Sequence, residues 1–239
     1  MSDWDDSLEA VAGFDPFTAW MPTPVERLTP SRVAARRLAQ ATRGILERLS
    51  GTTASAADLE EVAVAVEEAL ARLEAGVDPE GPGGELGYAE AALAAAEPHR
   101  LFERSPYSGR ANPVAPPLDM SIAGGEVVGR ATCGRTYEGP PGHVHGGVVA
   151  GLFDEILGAA QGLSGKAGMT GRLTVHYRRP TPLDTELELR ARPELAEGRK
   201  IVVRGTLHAG DVLCAEGEGL FIAVDFERLQ SLGVAGPDR

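Results

Sequence analysis

From Ala34 onward, Ala34, Leu38, Ala41, Ile45 and Leu49 recur at three- to four-residue intervals. That spacing puts them on one face of an α-helix. Ser31, just after Pro30, is the expected N-cap, and Gly51 with the two threonines behind it is the expected stop. A second run, Leu59, Val62, Val66, Leu70 and Leu73, has Glu60, Glu61, Glu67 and Glu68 largely on its other sides. It predicts a helix that begins at Ser55 or Ala57-Asp58 and ends at a Gly76 cap. A glycine-proline loop covers Asp78 to Gly84, and a short alanine-rich helix is expected up to about Glu97, closed by Pro98. The segment from Met1 to Pro30 predicts mostly irregular chain.

The texture changes from Leu101. Ser105 to Pro117 is rich in Pro, Gly, Ser and Asn and predicts a long loop or linker. Two strand patterns follow, Leu118 to Ala123 and Glu126 to Tyr137, around a Gly124-Gly125 hairpin turn. Gly146 to Gln161 has the length and period of a helix. Alternating runs then recur at Leu173 to Tyr177, Glu186 to Arg192, Lys200 to Leu207 and Val212 to Val224, the last two joined by a turn at Ala209-Gly210-Asp211. The order is β-β-α-β-β-β-β. Short connections make the strands mainly antiparallel, and the one apolar helix among them should be wrapped by the sheet.

Composition narrows the function classes. The chain has 239 residues, 43% hydrophobic and 24% charged, which excludes disorder throughout. No segment reaches the ~20 apolar residues of a membrane span, and the acidic start Met-Ser-Asp-Trp-Asp-Asp is not a secretory signal. The net charge of −12 is uneven: residues 1–100 carry 18 acids against 8 bases, residues 101–239 carry 17 against 15. Nucleic acid is therefore a poor partner, while the second half has room for a basic patch toward a small anion. Cys133 and Cys214 are the only cysteines, too few for a disulfide framework or a Cys₄ zinc site, and a reduced, cytoplasmic setting is expected.

The chemistry concentrates in Gly139-Pro-Pro-Gly-His143-Val-His145-Gly146-Gly147 and the helix that follows, up to Asp154-Glu155. Two glycines at a helix start leave its first N–H groups reachable, and those groups favour negative charge, including a carbonyl oxygen turning into an oxyanion. On the helical wheel Val148, Val149, Leu152, Phe153, Ile156 and Ala160 share one broad side, with Leu157 at its edge. Asp154 falls on the other side among Ala150, Gly151 and Gly158, a carboxylate beside a slot of small residues. Gly146 and Asp154 lie about 12 Å apart along the axis, too far to serve one reacting atom within one chain. Two antiparallel copies of the helix would bring the N-terminus of one to the middle of the other, which argues for a dimeric site. Small residues on a helix face also serve close packing. His143-Val-His145 is a His-x-His pair that would need a third ligand, Asp154 or His176, to hold a metal. No G-x-S-x-G elbow is present, so a serine hydrolase of the α/β type is excluded.

His145-Gly146-Gly147, the nine-residue step to Asp154, and Met169-Thr170-Gly-Arg-Leu-Thr-Val-His-Tyr-Arg-Arg-Pro-Thr-Pro-Leu183 together resemble the hotdog-fold acyl-CoA thioesterases of the phenylacetate-degradation and thioesterase-superfamily-member-4 types. Glu197-Gly-Arg-Lys200 and Glu218-Gly-Leu-Phe-Ile222 continue the likeness, which covers about residues 105–226; residues 1–97 carry none of it. The resemblance implies an α+β hotdog domain over 105–239 behind a helical region over 1–104. It implies hydrolysis of an acyl-CoA to free acid and CoA, by a homodimer or dimer of dimers, with no metal and no cofactor beyond the CoA of the substrate. It gives Asp154 the part of the carboxylate that activates water or attacks the thioester. Gly146, with Gly147, supplies the amides that polarise its carbonyl, His145 shapes that oxyanion site, and Thr170 brings a hydroxyl near the carboxylate. Glu155 ranks second to Asp154. Some relatives carry an amide side chain six residues before the histidine; Gly139 stands there, with His143 the expected replacement. His176, Arg178 and the Arg199-Lys200 turn are placed near the nucleotide, beside the further cation Arg179. Two other readings on the same fold are a non-catalytic acyl-CoA-binding module and an acyl-thioester hydratase or dehydratase.

Overall fold

The computed structural model describes residues 29–76, 103–116, 118–166 and 168–223. Helix α1 runs Pro30–Leu49 and α2 Ala56–Glu74. Strands β1 (Asp119–Ala123) and β2 (Glu126–Thr132) precede helix α3 (Gly146–Gln161). Strands β3 (Gly168–Tyr177), β4 (Glu186–Glu197), β5 (Lys200–Ala209) and β6 (Val212–Ala223) follow it. The six strands form one antiparallel sheet in the order β1-β2-β4-β5-β6-β3. The expected segment from 85 to 97 and the irregular stretch from 1 to 28 lie outside the described residues.

The sheet wraps α3, which is the hotdog arrangement. Leu152, Phe153, Ile156 and Leu157 are fully buried against Leu187 and Leu189 of β4, Ile201, Val203 and Leu207 of β5, and Phe221 of β6. Each such side chain contributes about 1.5–3 kcal/mol by leaving water. The sheet is thinned where the helix is thick: a Cβ on Gly217 would lie 2.5 Å from the Phe153 ring. At the β1–β2 hairpin, Gly124 (φ 63°) and Gly125 (φ 78°) form the expected two-residue turn.

Several boundaries differ from the sequence reading. Thr29, not Ser31, caps α1, because Pro30 fits the first helical position, where its missing N–H costs nothing. Helix α2 starts at the expected Ser55, in a reciprocal capping box with Asp58. Strand β2 stops at Thr132 instead of reaching Tyr137, and residues 135–137 form a 3-10 turn. The Glu47 carboxylate of α1 takes the N–H groups of Arg135 (2.6 Å) and Thr136 (3.1 Å) and the Thr136 hydroxyl (3.0 Å), donors that a ladder would otherwise use. Strand β4 continues past Pro193, where the register with β5 shifts between Pro193 and Leu195. A bulge lets a proline sit in a paired strand.

The stretch expected as a loop or linker is irregular, yet it is fixed. Ala115 and Pro116 are fully buried and Glu103 and Ser105 nearly so. Helix α1 holds this strap with charged groups. Arg36 pairs with Glu103, and Arg43 donates to the carbonyls of Asn112 (2.9 Å) and Ala115 (3.1 Å). No helix among the described residues is long and apolar enough to cross a membrane.

Candidate active site

The loop leading into α3 is closed on itself. Glu138 and Val144 bridge, Gly139 donates its N–H to the His143 carbonyl (2.9 Å), and Gly142 donates to the Glu138 carboxylate (2.7 Å). A Cβ at Gly139 would stand 2.7 Å from the His145 Cα, so no side chain fits there, amide or otherwise. His143 Nδ1 lies 2.9 Å from the Pro141 carbonyl, which ties that ring to its own loop.

His145 is the N-cap of α3, with extended backbone (φ −60°, ψ 135°). Its N–H donates to the Tyr137 carbonyl at 2.8 Å, and its Nδ1 accepts the Gly147 N–H at 3.0 Å. Its carbonyl takes the N–H groups of Val148 and Val149. The Gly146 N–H has no partner among the described residues. Of the two glycine amides, then, Gly147 is engaged by the histidine and Gly146 is open at the positive end of the helix. Sequence reasoning missed Tyr177, which reaches back from the end of β3 and donates its hydroxyl to the Gly146 carbonyl at 2.8 Å. Its place on the Leu173-Val175-Tyr177 face of β3 was the available signal.

Eight residues along α3 from Gly146, Asp154 is exposed, and Thr170 of β3 donates its hydroxyl to Asp154 Oδ1 at 2.9 Å. Beside Thr170 the β3–β6 register shifts. The neighbouring carboxylate is treated differently. Glu155 accepts the hydroxyls of Ser105 (2.6 Å) and Ser108 from the strap. Burial pushes its carboxyl above the usual carboxylate range; the two serine donors partly offset this, and the charge of Asp154 adds to it. One acid thus faces solvent with a single hydroxyl on one oxygen, and the next is enclosed by protein. Neither Ser105 nor Ser108 carried a sequence signal.

The remaining polar candidates are spread out. His176, Arg178, Arg199 and Lys200 are all exposed. Arg178 Nε donates to Glu216 at 2.5 Å, and Arg199 Nε donates to the Ala223 carbonyl at 3.3 Å. On β6, His176 pairs opposite Glu216 and Lys200 opposite Ile222. Six strand residues separate these positions, about 20 Å, so one chain does not bring the two cationic groups together. Among the described residues, no three His, Cys, Asp or Glu side chains are grouped to hold a metal ion. Cys133 is fully buried, and burial pushes its thiol up to about 12, far from a reactive thiolate.

A thioesterase superfamily protein of known crystal structure superposes on this chain with a TM-score of 0.66 and 34% sequence identity, over 79% of this chain and 94% of that one. The chain belongs to the thioesterase superfamily. The superfamily's sequence model matches residues 141–215, from inside the Gly139–His145 loop through β3, β4 and β5 into β6. Among curated relatives, acyl-coenzyme A thioesterase THEM4 of Bos taurus is 34% identical over 97 residues, 40% of this chain and 40% of that protein. The Xenopus laevis protein of the same name is 36% identical over 91 residues, 37% of this chain and 41% of that protein. The match thus spans about two fifths of the length of these relatives. His145, Gly146, Asp154 and Thr170 all fall inside the matched thioesterase superfamily region.

Proposed function

We propose that this protein hydrolyses an acyl-CoA thioester to the free acid and CoA. The observation that carries the reading is the Thr170–Asp154 hydrogen bond, which fixes one oxygen of an exposed helix carboxylate and leaves the other for water or the thioester carbonyl. The second half of the machinery is the open Gly146 amide. Because it lies about 12 Å along the helix from Asp154, the two groups act on one substrate when two protomers place their α3 helices antiparallel. Strand β3 supports that pairing: it is a ten-residue strand that among the described residues is hydrogen-bonded in the sheet only to β6, and long open edges are templates for a further strand.

In this reading the thioester carbonyl oxygen accepts the Gly146 N–H of one protomer, and negative charge grows on it against the helix dipole. Asp154 of the other protomer takes a proton from a water that adds to the carbonyl carbon, or attacks that carbon itself to give a mixed anhydride that water then hydrolyses to the free acid. CoA leaves as a thiolate, helped little because ordinary thiols ionise near ~8.5. His145 holds the Gly147 amide and sets the first turn, and Tyr177 steadies the Gly146 carbonyl. His176 and Arg178 of one protomer and the Arg199-Lys200 turn of the other are the proposed contacts for the nucleotide portion, since one chain holds them about 20 Å apart, and His143 is the proposed substrate contact in place of the missing amide.

The test is CoA release from a panel of acyl-CoA esters, run on wild type and Asp154→Ala, with sedimentation and thermal melting in parallel. The expected result is turnover by a dimeric or tetrameric wild type and loss of at least about 10²-fold in the variant, with assembly and melting unchanged. Full activity in Asp154→Ala, or a strictly monomeric active protein, overturns the mechanism. Tight binding of esters without CoA release by wild type supports a binding module instead.

A further inference from the structure

The slot of small residues beside Asp154 is not empty. A Cβ placed on Gly151 would meet the Tyr107 ring, 1.9 Å from its Cζ and 2.4 Å from its hydroxyl oxygen. The ring therefore lies directly on bare helix backbone. Gly151 stands three residues before Asp154, about 4.5 Å along the axis and about 60° round it. That places Tyr107 between the exposed carboxylate and the open N-terminus of the same helix. The ring is held from both sides of its own sequence: Ser105 and Ser108 donate to Glu155, while the Ser105 hydroxyl also accepts the N–H groups of Tyr107 (3.2 Å) and Ser108 (3.3 Å). Helix α1 clamps the ends of this strap through Arg36–Glu103 and the Arg43 bonds to Asn112 and Ala115.

We propose that Tyr107 is a specificity-determining residue: its ring is the wall met by the acyl group next to the scissile carbonyl, and it limits the bulk accepted there. The inference rests on the hydrolase reading above, and deepens it by naming the substrate property that is selected. The carbon skeleton is bonded to the carbonyl carbon that Asp154 must reach, so its first atoms pass within one helical turn of the Tyr107 ring. Unbranched acyl groups fit beside the ring, and groups branched or aromatic close to the carbonyl collide with it. The strap places the ring, and the charged face of α1 places the strap, which gives the N-terminal extension a part in substrate choice.

The experiment compares unbranched (butyryl, hexanoyl) with bulky (pivaloyl, phenylacetyl) CoA esters on wild type, Tyr107→Ala, Tyr107→Phe and Gly151→Ala. Two readouts are taken: kcat/KM in the catalytic background, and affinity in an Asp154→Asn background, where no turnover is needed. Tyr107→Ala is expected to raise the bulky-to-unbranched ratio about tenfold or more, the scale set by one methylene in a hydrophobic pocket, while Tyr107→Phe keeps the wild-type ratio. Gly151→Ala favours the helix and displaces the ring from beneath, so it must move the ratio too; this covers the case in which Tyr107→Ala fails to fold. A ratio unchanged within twofold in both readouts overturns the proposal, as does an equal loss for every ester. A wild type that binds esters but releases no CoA defeats the hydrolase reading alone, and the affinity ratios still decide the role of Tyr107.

Discussion

Helix α3 turns its apolar side to the sheet and buries Leu152, Phe153, Ile156 and Leu157 completely, whereas α1 turns a mostly charged stripe to the same body and leaves its Leu38, Ile45 and Leu49 stripe outside. Arg36, Ala39, Arg43 and Glu47 follow one another at three- and four-residue steps on the docked face of α1. Leu38, Ile45 and Leu49, on the opposite face, are 45%, 41% and 59% exposed. Helix α2 goes further and buries none of its residues. Hydrophobic burial scales with area and has no preferred partner, so it builds the core around α3. The docking of α1 instead satisfies particular groups: two carbonyls of the strap, the Glu103 carboxylate, and the two amides at the 3-10 turn. Polar docking of this kind fixes position and direction, and here it holds the strap beside Asp154 and Glu155.

The largest expected contrast is in stability. Phe153→Ala should cost about 3–5 kcal/mol in urea unfolding, since the ring fills the space opposite Gly217. Leu38→Ala should stay within about 0.5 kcal/mol. A loss of several kcal/mol from Leu38→Ala would show that something covers the α1 stripe in solution, and would remove the contrast.

Glu47→Ala comes next, at about 1–3 kcal/mol, because charge-assisted bonds are lost and two amides are left without partners. Burial raises the Glu47 carboxyl, but the donors from Thr136 and Arg135 outweigh it and hold it below its usual value. A depressed folded-state value contributes stability that is present above the unfolded value near ~4.3 and is lost as pH falls through the folded one. The gap between wild type and variant should therefore be constant above about pH 5 and shrink as the solution is made more acidic. A gap that does not depend on pH would mean that the carboxylate charge contributes nothing to the docking.

Glu155→Gln carries the opposite sign. Burial raises its carboxyl in the folded state, so the advantage of the neutral form is full below the unfolded value near ~4.3 and disappears as pH rises through the folded value. The amide keeps an acceptor for Ser105 and Ser108. The variant should therefore match wild type in acid and melt higher at pH 8. A variant that melts lower at pH 8 would show that ionised Glu155 is an integral anchor of the strap.

These differences also mark what the sequence made legible. The order of elements along the chain, the central helix, the Gly124-Gly125 turn and the placing of Asp154 opposite the apolar face of α3 follow from period and turn chemistry, which are local; the sheet order β1-β2-β4-β5-β6-β3 does not. The pairing of Thr170 with Asp154 was reachable only through resemblance, since 16 residues and a strand separate them. The end of β2 was not legible at all: it is decided by a carboxylate 88 residues earlier. Nor was the strap, whose Ser105, Tyr107 and Ser108 look like ordinary loop residues until Gly151 and Glu155 are brought beneath them. The apolar stripe of α1 was legible as a stripe, but what it faces was not, because amphipathicity identifies a face without naming what meets it.

The smallest effect is the sharpest probe of α2. Ser55 accepts the Asp58 N–H, and the Asp58 carboxylate accepts the Ser55 N–H at 3.2 Å and its hydroxyl at 2.7 Å. Removing that cap by Ser55→Ala should cost the helix about 1 kcal/mol, read as roughly fivefold faster amide exchange from Leu59 onward. Yet α2 buries no residue, so its folding is coupled only weakly to the core, and the main unfolding transition should not move. Because hydrogen exchange sees local opening and melting sees the cooperative unit, the two measurements separate what each helix owes to its own sequence from what it owes to packing. If the main transition falls together with α2 protection, α2 is part of the cooperative unit. Its Leu59, Val62, Val66, Leu70 and Leu73 stripe then meets a surface in solution, and the contrast with α3 narrows to one of degree.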